Sequence, residues 1–144
     1  MVLDTNVLLD WLVFDDPHAA PWVTALKAGR VRWLATLAMR EEMQRVLGYA
    51  SIAPRLAYRH AVDEAWARHA SLIETPTQAP MICTDPDDQK FIDLAVAHRA
   101  KWLLTKDAAL LQLARRALPW GIRILPPANW SELELQTSNC YVRQ

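Results

Sequence analysis

Length, composition and charge exclude several classes of protein before any motif is considered. The 144 residues suit one domain with a real core, and a hydrophobic fraction of 52% excludes a disordered chain. The formal net charge of zero gives no electrostatic footprint of its own for nucleic acid. No apolar run reaches membrane-spanning length, and the apolar start lacks the basic leading region of a signal peptide.

The first half of the chain is predicted to alternate short strands with helices. "MVLD" forms a strand, and apolar residues then recur at three- and four-residue steps in a helix that Pro17 ends. A second helix covers 18–27 and stops at Gly29, and "VRWLAT" is a buried strand. Thr36 then caps a helix that runs to about Leu47.

The second half continues this alternation. Pro54 begins a helix through "RLAYRHAVDEAWARHA", and "SLIET" is a short strand. "DQKFIDLAVAHRA" and "DAALLQLARRAL" are helices on either side of the strand "KWLLT", and "IRIL" and "ANWSELELQ" are a last strand and helix. This order predicts an α/β fold, a three-layer sandwich with a central parallel sheet of about five strands flanked by helices. We expect a single domain over 1–134 and a loose tail over 135–144.

Two acidic residues follow predicted strands. Asp4 closes the first strand, and Asp107 comes after the strand "KWLLT". The carboxyl ends of parallel strands share one edge of the sheet, which is where ligands bind. Either aspartate alone is also explained as the cap of the next helix. The pair favours a site at this edge and leaves the capping explanation open.

A glutamate lies on a helix face that is predicted to enter the core. Glu42 shares a face with Met39 and Val46, whereas Glu41 points to solvent. A buried carboxylate is costly unless it is paired or binds a metal. A boundary glutamate that reaches water explains the pattern equally well.

The segment "CTDPDDQKF" crowds three aspartates at the start of a helix. Asp88 shares the core-facing side of this helix with Phe91. Asp85 and Asp87 are better explained as residues that organise the helix start, because negative groups there interact favourably with the helix dipole. Asp88 is therefore the preferred ligand, with Asp87 as the alternative.

Four carboxylates, Asp4, Glu42, Asp88 and Asp107, can thus converge on one edge of the sheet. Without compensation such a cluster repels itself or holds protons, and a hard divalent cation resolves the repulsion. Mg²⁺ and Mn²⁺ prefer oxygen ligands and bind through a few carboxylates plus substrate phosphate. The four histidines have no zinc-type spacing with cysteine, and the three glycines exclude most phosphate-binding loops. The pattern therefore predicts a Mg²⁺ or Mn²⁺ site.

The same segments resemble the motifs of the PIN-domain family, in particular its bacterial VapC-like branch, the toxins of toxin–antitoxin pairs. "VLDTNVLLDWL" is similar to the first motif, and "LATLAMREEMQRVL" is similar to the second, whose acid falls at Glu42. "CTDPDDQKFIDLAVAHRAKWLLTKDAALL" resembles the third and fourth motifs and gives Asp88 and Asp107, and "GIRILPPANW" resembles the closing strand. The resemblance covers nearly the whole chain and implies metal-dependent ribonuclease activity.

The resemblance also implies a role for each acid. We expect Asp4 and Asp88 to bind the metal most directly and Asp107 to complete the site. Glu42 is expected to hold a water molecule beside the metal, or a second ion. These four residues are the expected catalytic set.

Neighbouring polar residues are candidates for supporting roles. Asn6 and Thr105 are candidates for hydrogen bonds to the metal ligands, although a helix start and a strand end explain them as well. Lys106 is the preferred contact to an RNA phosphate. Trp11 is more simply explained by core packing than by stacking on an RNA base. Ordinary solvated charge is the preferred explanation for two further basic residues, Arg115 and Arg116, while Arg123 stays a candidate phosphate contact.

The resemblance implies partners as well as a substrate. RNA, a small antitoxin protein and a second copy of the chain are expected, and a membrane is not. The tryptophan-rich first helices are the candidate partner surface. Cys83 and Cys140 show neither metal-binding spacing nor a disulfide framework, which fits a cytoplasmic protein.

Two other functions compete with the nuclease. The first is a catalytically idle interaction module that binds an antitoxin or another partner. The second is a phosphatase or a phosphoacceptor domain of the receiver type, because both place acids at strand ends. The phosphatase needs an aspartate two residues after Asp4, where Asn6 stands. The receiver needs its acceptor aspartate on a central strand, and "VRWLAT" lacks one.

Overall fold

Parallel strands form the centre of the structure. The computed structural model describes residues 1–49 and 59–136. Its strands are β1 (Val2–Leu3), β2 (Trp33–Ala35), β3 (Ala70–Leu72), β4 (Trp102–Leu104) and β5 (Arg123–Leu125). They form one sheet in the order β3-β2-β1-β4-β5, and every pair of neighbours is parallel. The predicted parallel sheet is confirmed.

Helices flank this sheet and complete the predicted α/β sandwich. They are α1 (Thr5–Leu12), α2 (Ala20–Lys27), α3 (Leu37–Leu47), α4 (Arg59–His69), α5 (Gln89–Ala97), α6 (Ala108–Leu111) and α7 (Ala114–Ala117). The predicted start of α4 at Pro54 lies outside the described residues. None of the helices in the described part combines the length and the apolar character that a membrane span needs.

Two helices differ from the predictions for local reasons. α1 ends at Leu12, well before Pro17, and the chain then turns through Asp15, whose left-handed φ of 51° cannot continue a helix. The single helix predicted after β4 is divided into α6 and α7. The Leu113 N–H donates to the Leu110 carbonyl at 3.0 Å, and this tighter bond interrupts the regular helical pattern.

The chain continues past β5 into a last helical segment that covers 132–136. Leu135 of this segment packs against the core. Residues 137–144, most of the predicted tail and Cys140 with it, lie outside the described residues. The predicted boundary of the domain at residue 134 stays a prediction.

Tryptophans fill much of the core. Trp22 and Trp33 are at most 1% exposed, and Trp11 packs edge-on against both, with ring centroids 5.5 and 6.1 Å away. Trp33 also lies 4.5 Å from the ring of Trp66. The tryptophans of the first helices thus contribute to the core rather than to an exposed partner surface. Core packing is confirmed as the role of Trp11.

The strand order indicates where a ligand site is expected along the sheet. The chain passes from β1 outward to β2 and β3, and then returns to place β4 on the other side of β1. The carboxyl ends of β1 and β4 therefore flank the point where the strand order reverses, which is the usual ligand position in open parallel sheets. Asp4 follows β1 and Thr105 follows β4.

Candidate metal centre

Three aspartates form a compact cluster at the carboxyl edge of the sheet. Asp85, Asp88 and Asp107 each place one carboxylate oxygen so that these atoms lie within 4.8 Å of one another. Asp107 comes just after β4, and the other two stand at the ends of the turn that leads into α5. We call these three residues the aspartate cluster.

Asp88 is the buried member of the aspartate cluster, with 9% of its surface exposed. Its Oδ2 atom has no hydrogen-bond partner among the described residues. Burial raises the pKa of Asp88 to about 7, and its hydrogen bond with Asp107 and the charge of Asp4 act in the same direction. Asp87 is exposed and lies outside the cluster, so the geometry favours Asp88 as the ligand.

Asp4 is linked to the aspartate cluster through Thr105. The fully buried Thr105 hydroxyl donates to Asp4 Oδ2 at 2.7 Å and accepts the backbone N–H of Asp107 at 3.0 Å. Burial raises the pKa of Asp4, the Thr105 hydrogen bond opposes this, and the charges of Asp107 and Glu42 add to it. Asp4 after β1 and Asp107 after β4 thus lie close enough for their charges to interact.

Glu42 reaches this edge from α3 and is held there by two donors. The Thr5 hydroxyl donates to Glu42 Oε2 at 2.6 Å, and the Lys90 ammonium donates to Oε1 at 3.0 Å. The side chain of Glu42 is 21% exposed, so it is neither buried nor fully in water. Glu42 does point toward the core side of α3, as predicted. Its polar partners explain how a carboxylate is tolerated there.

Two members of the aspartate cluster also cap the segments that follow them. Asp85 accepts the backbone N–H of Asp87 at 3.0 Å, and Asp107 accepts that of Ala109 at 2.9 Å. The capping explanation considered for Asp107 is therefore correct, and so is the predicted role of Asp85 at the helix start. Capping occupies one oxygen of a carboxylate and leaves the group free to bind a cation as well.

The loop before the aspartate cluster is anchored to α5 by two side chains. Gln89 Oε1 accepts the Cys83 N–H at 2.7 Å, and its Nε2 donates to the Met81 carbonyl at 3.1 Å. Asp93 accepts the Ala79 N–H at 2.7 Å and the Gln89 side chain at 2.8 Å. These bonds fix the path of the chain into Asp85 without contacting the carboxylates of the aspartate cluster.

The remaining predicted residues lie around this edge or away from it. Lys106 pairs with Asp10 at 2.6 Å beside a cavity of about 100 Å³. Asn6 is exposed, and so are Arg115 and Arg116 on α7. Arg123 is a surface cation that pairs with Glu134 at 3.0 Å.

The arrangement fits a divalent cation. Burial, the hydrogen bond with Asp107 and the charge of Asp4 raise the pKa of Asp88, and a buried carboxylate oxygen without a donor is costly. Among the described residues, Thr105 donates to Asp4, and Thr5 and Lys90 donate to Glu42, but none of these donors reaches the Oδ2 atom of Asp88. An all-oxygen donor set of aspartates suits Mg²⁺ or Mn²⁺ rather than zinc.

Residues 1–109 match the family model of the PIN domain. The chain belongs to the PIN-domain family. PIN domains are generally nucleases, and the family's nucleases use divalent metals, which agrees with the oxygen-rich aspartate cluster. No curated protein and no solved structure matches this PIN domain significantly.

Sequence reasoning missed the residues that support this PIN-domain site. Thr5 is a buried residue of α1 between Asp4 and Asn6, and no pattern in the sequence marks Gln89, Lys90 and Asp93 on α5 as parts of a site. Lys90 carried a weak signal, because it stands next to the core-facing residue Phe91 in an acid-rich segment. Asp85 was assigned to capping alone, and its membership of the cluster depends on where β4 ends.

Proposed function

We propose that this PIN domain is a divalent-metal-dependent endoribonuclease that uses Mg²⁺ or Mn²⁺. The observation that carries the proposal is the buried Oδ2 of Asp88 inside the aspartate cluster, which has no hydrogen-bond partner in the part of the chain that the structure describes. Core packing gives no reason for such an atom, whereas a cation site requires it. Its position at the reversal of the strand order agrees with a ligand site.

Each acid has a defined part in the proposal. Asp85, Asp88 and Asp107 would hold the ion, and Asp4 would join them from the end of β1. When bound, such an ion lowers the pKa of water and neutralises charge on the scissile phosphate. Glu42 stands at the open side of the site, where its held carboxylate can orient a water molecule.

Supporting residues keep these groups in register. Thr105 fixes the distance between the ends of β1 and β4, because one hydroxyl bonds to Asp4 and to the backbone of Asp107. We propose that Thr105 supports the metal ligands through this hydroxyl, and Asn6 would act only from the exposed start of α1. Positioning of this kind typically changes metal affinity by about 10- to 100-fold.

Lys106 is the proposed contact to an RNA phosphate. Its ammonium is half-exposed and is paired with Asp10, and Lys106 stands next to Asp107 in the chain. A phosphate would have to compete with Asp10 for this cation. Breaking the ion pair costs little free energy because the ammonium is half-exposed.

Cleavage of defined RNA oligonucleotides tests the function. We expect cleavage with Mn²⁺ or Mg²⁺, none with EDTA, and a loss of at least about 100-fold in Asp88→Asn, since one ligand of the cluster is neutralised. Asp87→Asn is the matched control, because it removes the same charge from the adjacent, exposed position. Equal turnover in the two variants would remove Asp88 from the mechanism, and no cleavage under any condition would favour the idle interaction module.

The finer biological role is proposed from the motif resemblance. We propose that the protein acts in the cytoplasm as the toxin of a type II toxin–antitoxin module, binds a small antitoxin and forms a homodimer. Expression of the wild type should arrest growth while Asp88→Asn should not, and co-expression of a small protein encoded beside it should restore growth. Growth unaffected by the active enzyme would contradict this role and leave the nuclease proposal intact.

A further inference from the structure

Lys90 is a cation built into the acidic edge. Its ammonium lies 3.0 Å from Glu42 Oε1 and also donates to the backbone carbonyl of Asp87. The side chain is 28% exposed, which is low for a lysine. Lys90 is the second residue of α5 and follows Asp88 by two positions. It therefore occupies the space between Glu42 and the helix start that carries Asp88.

The two sides of the acidic edge differ in how their oxygens are satisfied. Both oxygens of Glu42 have a donor, Lys90 on Oε1 and Thr5 on Oε2. Asp88, by contrast, keeps an oxygen with no partner among the described residues. Glu42 also lies outside the compact group of oxygens that could share one ion. An added cation is therefore needed to satisfy Asp88 but not to satisfy Glu42.

We infer that the centre takes a single divalent ion, held on the side of the aspartate cluster, and that Lys90 supplies the positive charge beside Glu42. The inference rests on the proposed metal-dependent function and settles how many ions that function uses. A second ion bound by Glu42 would stand within contact range of an ammonium, and two cations at that separation repel each other strongly. Lys90 thus excludes one ion and holds Glu42 in place.

Ion counting on the protein without RNA tests this inference. Mn²⁺ bound per chain is measured by calorimetric titration and by the paramagnetic resonance signal of the free ion. We expect one Mn²⁺ for the wild type and one for Lys90→Arg, which keeps the charge. Lys90→Met keeps the aliphatic stem and removes the ammonium, so it should bind a second Mn²⁺ that is lost again in Lys90→Met combined with Glu42→Gln.

The control for the loss of a lysine is Lys27→Met, since Lys27 is exposed at the end of α2. This control should bind one Mn²⁺. Two ions on the wild type, or a single ion on Lys90→Met, would overturn the inference while the nuclease proposal stands. No bound ion on the wild type would overturn both, and one bound ion without RNA cleavage would contradict only the nuclease proposal. Far-ultraviolet circular dichroism confirms that each variant is folded.

Discussion

At the scale of one residue, the carboxylate of Asp88 differs from the ordinary side chains of the core. Burial, the hydrogen bond with Asp107 and the charge of Asp4 raise its pKa to about 7, yet its Oδ2 atom receives no hydrogen bond from the described residues. Native proteins rarely keep such an atom unless function requires it. Asp88 therefore keeps an unsatisfied oxygen that a bound cation would satisfy.

Removing the charge of Asp88 should stabilise the protein when no metal is present. Asp88→Asn keeps the shape and removes one of several crowded negative charges, so we expect the free energy of unfolding in EDTA to rise by about 1 kcal/mol. Chemical denaturation at pH 8 measures it. The stabilisation that Mn²⁺ gives the wild type should vanish in the variant. A less stable variant in EDTA would contradict this account of Asp88.

The same residue predicts a pH dependence of stability. The pKa of Asp88 is raised by burial from the ordinary 3.8 to about 7, so the folded state holds an extra proton between these values. The stability that this proton contributes is fully present below about pH 4 and is lost as the pH rises through about 7.

Denaturation in EDTA from pH 5 to pH 8 measures this loss. Wild type should lose more stability than Asp88→Asn over this range, because only the wild type releases the proton. Stabilisation by Mn²⁺ should show the opposite trend and grow above pH 7, since a ligand must be deprotonated to bind. Parallel curves for the two proteins would contradict the prediction.

At the scale of elements, α5 acts as the support of the aspartate cluster. Gln89 and Asp93 on its first turns hold the backbone at Ala79, Met81 and Cys83. A loop with this many bonds to one helix delivers Asp85 to a fixed position. The site thus depends on side chains that never touch the ligand.

Asp93→Ala should weaken metal binding from a distance. The change removes the acceptor of the Ala79 N–H and of the Gln89 side chain, so we expect a stability loss of about 1–3 kcal/mol. Mn²⁺ affinity should fall by about 10-fold, because the loop that carries Asp85 is loosened. Asp63→Ala is the control, since exposed Asp63 accepts a similar bond from Gln44 without any link to the site. Equal effects of the two variants on Mn²⁺ affinity would contradict the role of α5.

Elements differ in how far their parts could be predicted from the sequence. Asp4 and Asp107 were predictable because the carboxyl ends of parallel strands meet at one edge whatever the exact packing. Asp88 followed from the period of its helix. Lys90 and Gln89 were not predictable, because their partners lie on α3 and on an irregular loop that no local pattern places. The division of one predicted helix into α6 and α7 was not predictable either, because the tighter bond from Leu113 to Leu110 has no signal in the sequence.

At the scale of the molecule, zero net charge hides an uneven distribution. Acidic residues gather at the carboxyl edge of the sheet around the aspartate cluster. At the opposite edge a groove of about 560 Å³ is lined by the basic residues Arg30, Arg32, His98, Arg99 and Lys101. The absence of net charge therefore does not exclude a polyanion such as RNA, because local fields rather than the total decide association.

The residues that follow the family match pack into the same sheet and core as the matched residues. Residues 1–109 match the PIN domain, and β5 beyond the match pairs with β4 in the same sheet. Trp130 is 1% exposed and packs edge-on against Trp102, with ring centroids 5.7 Å apart. Residues after the match therefore contribute to the fold that positions Asp107.

The most direct test of the central claim is a crystal structure of the protein soaked in Mn²⁺, with anomalous scattering recorded at the manganese edge. The account predicts one strong anomalous peak in contact with carboxylate oxygens of Asp85, Asp88 and Asp107, including the Oδ2 atom of Asp88, which has no partner among residues 1–49 and 59–136. A crystal with no peak at these three residues, or with manganese bound only elsewhere, would contradict it.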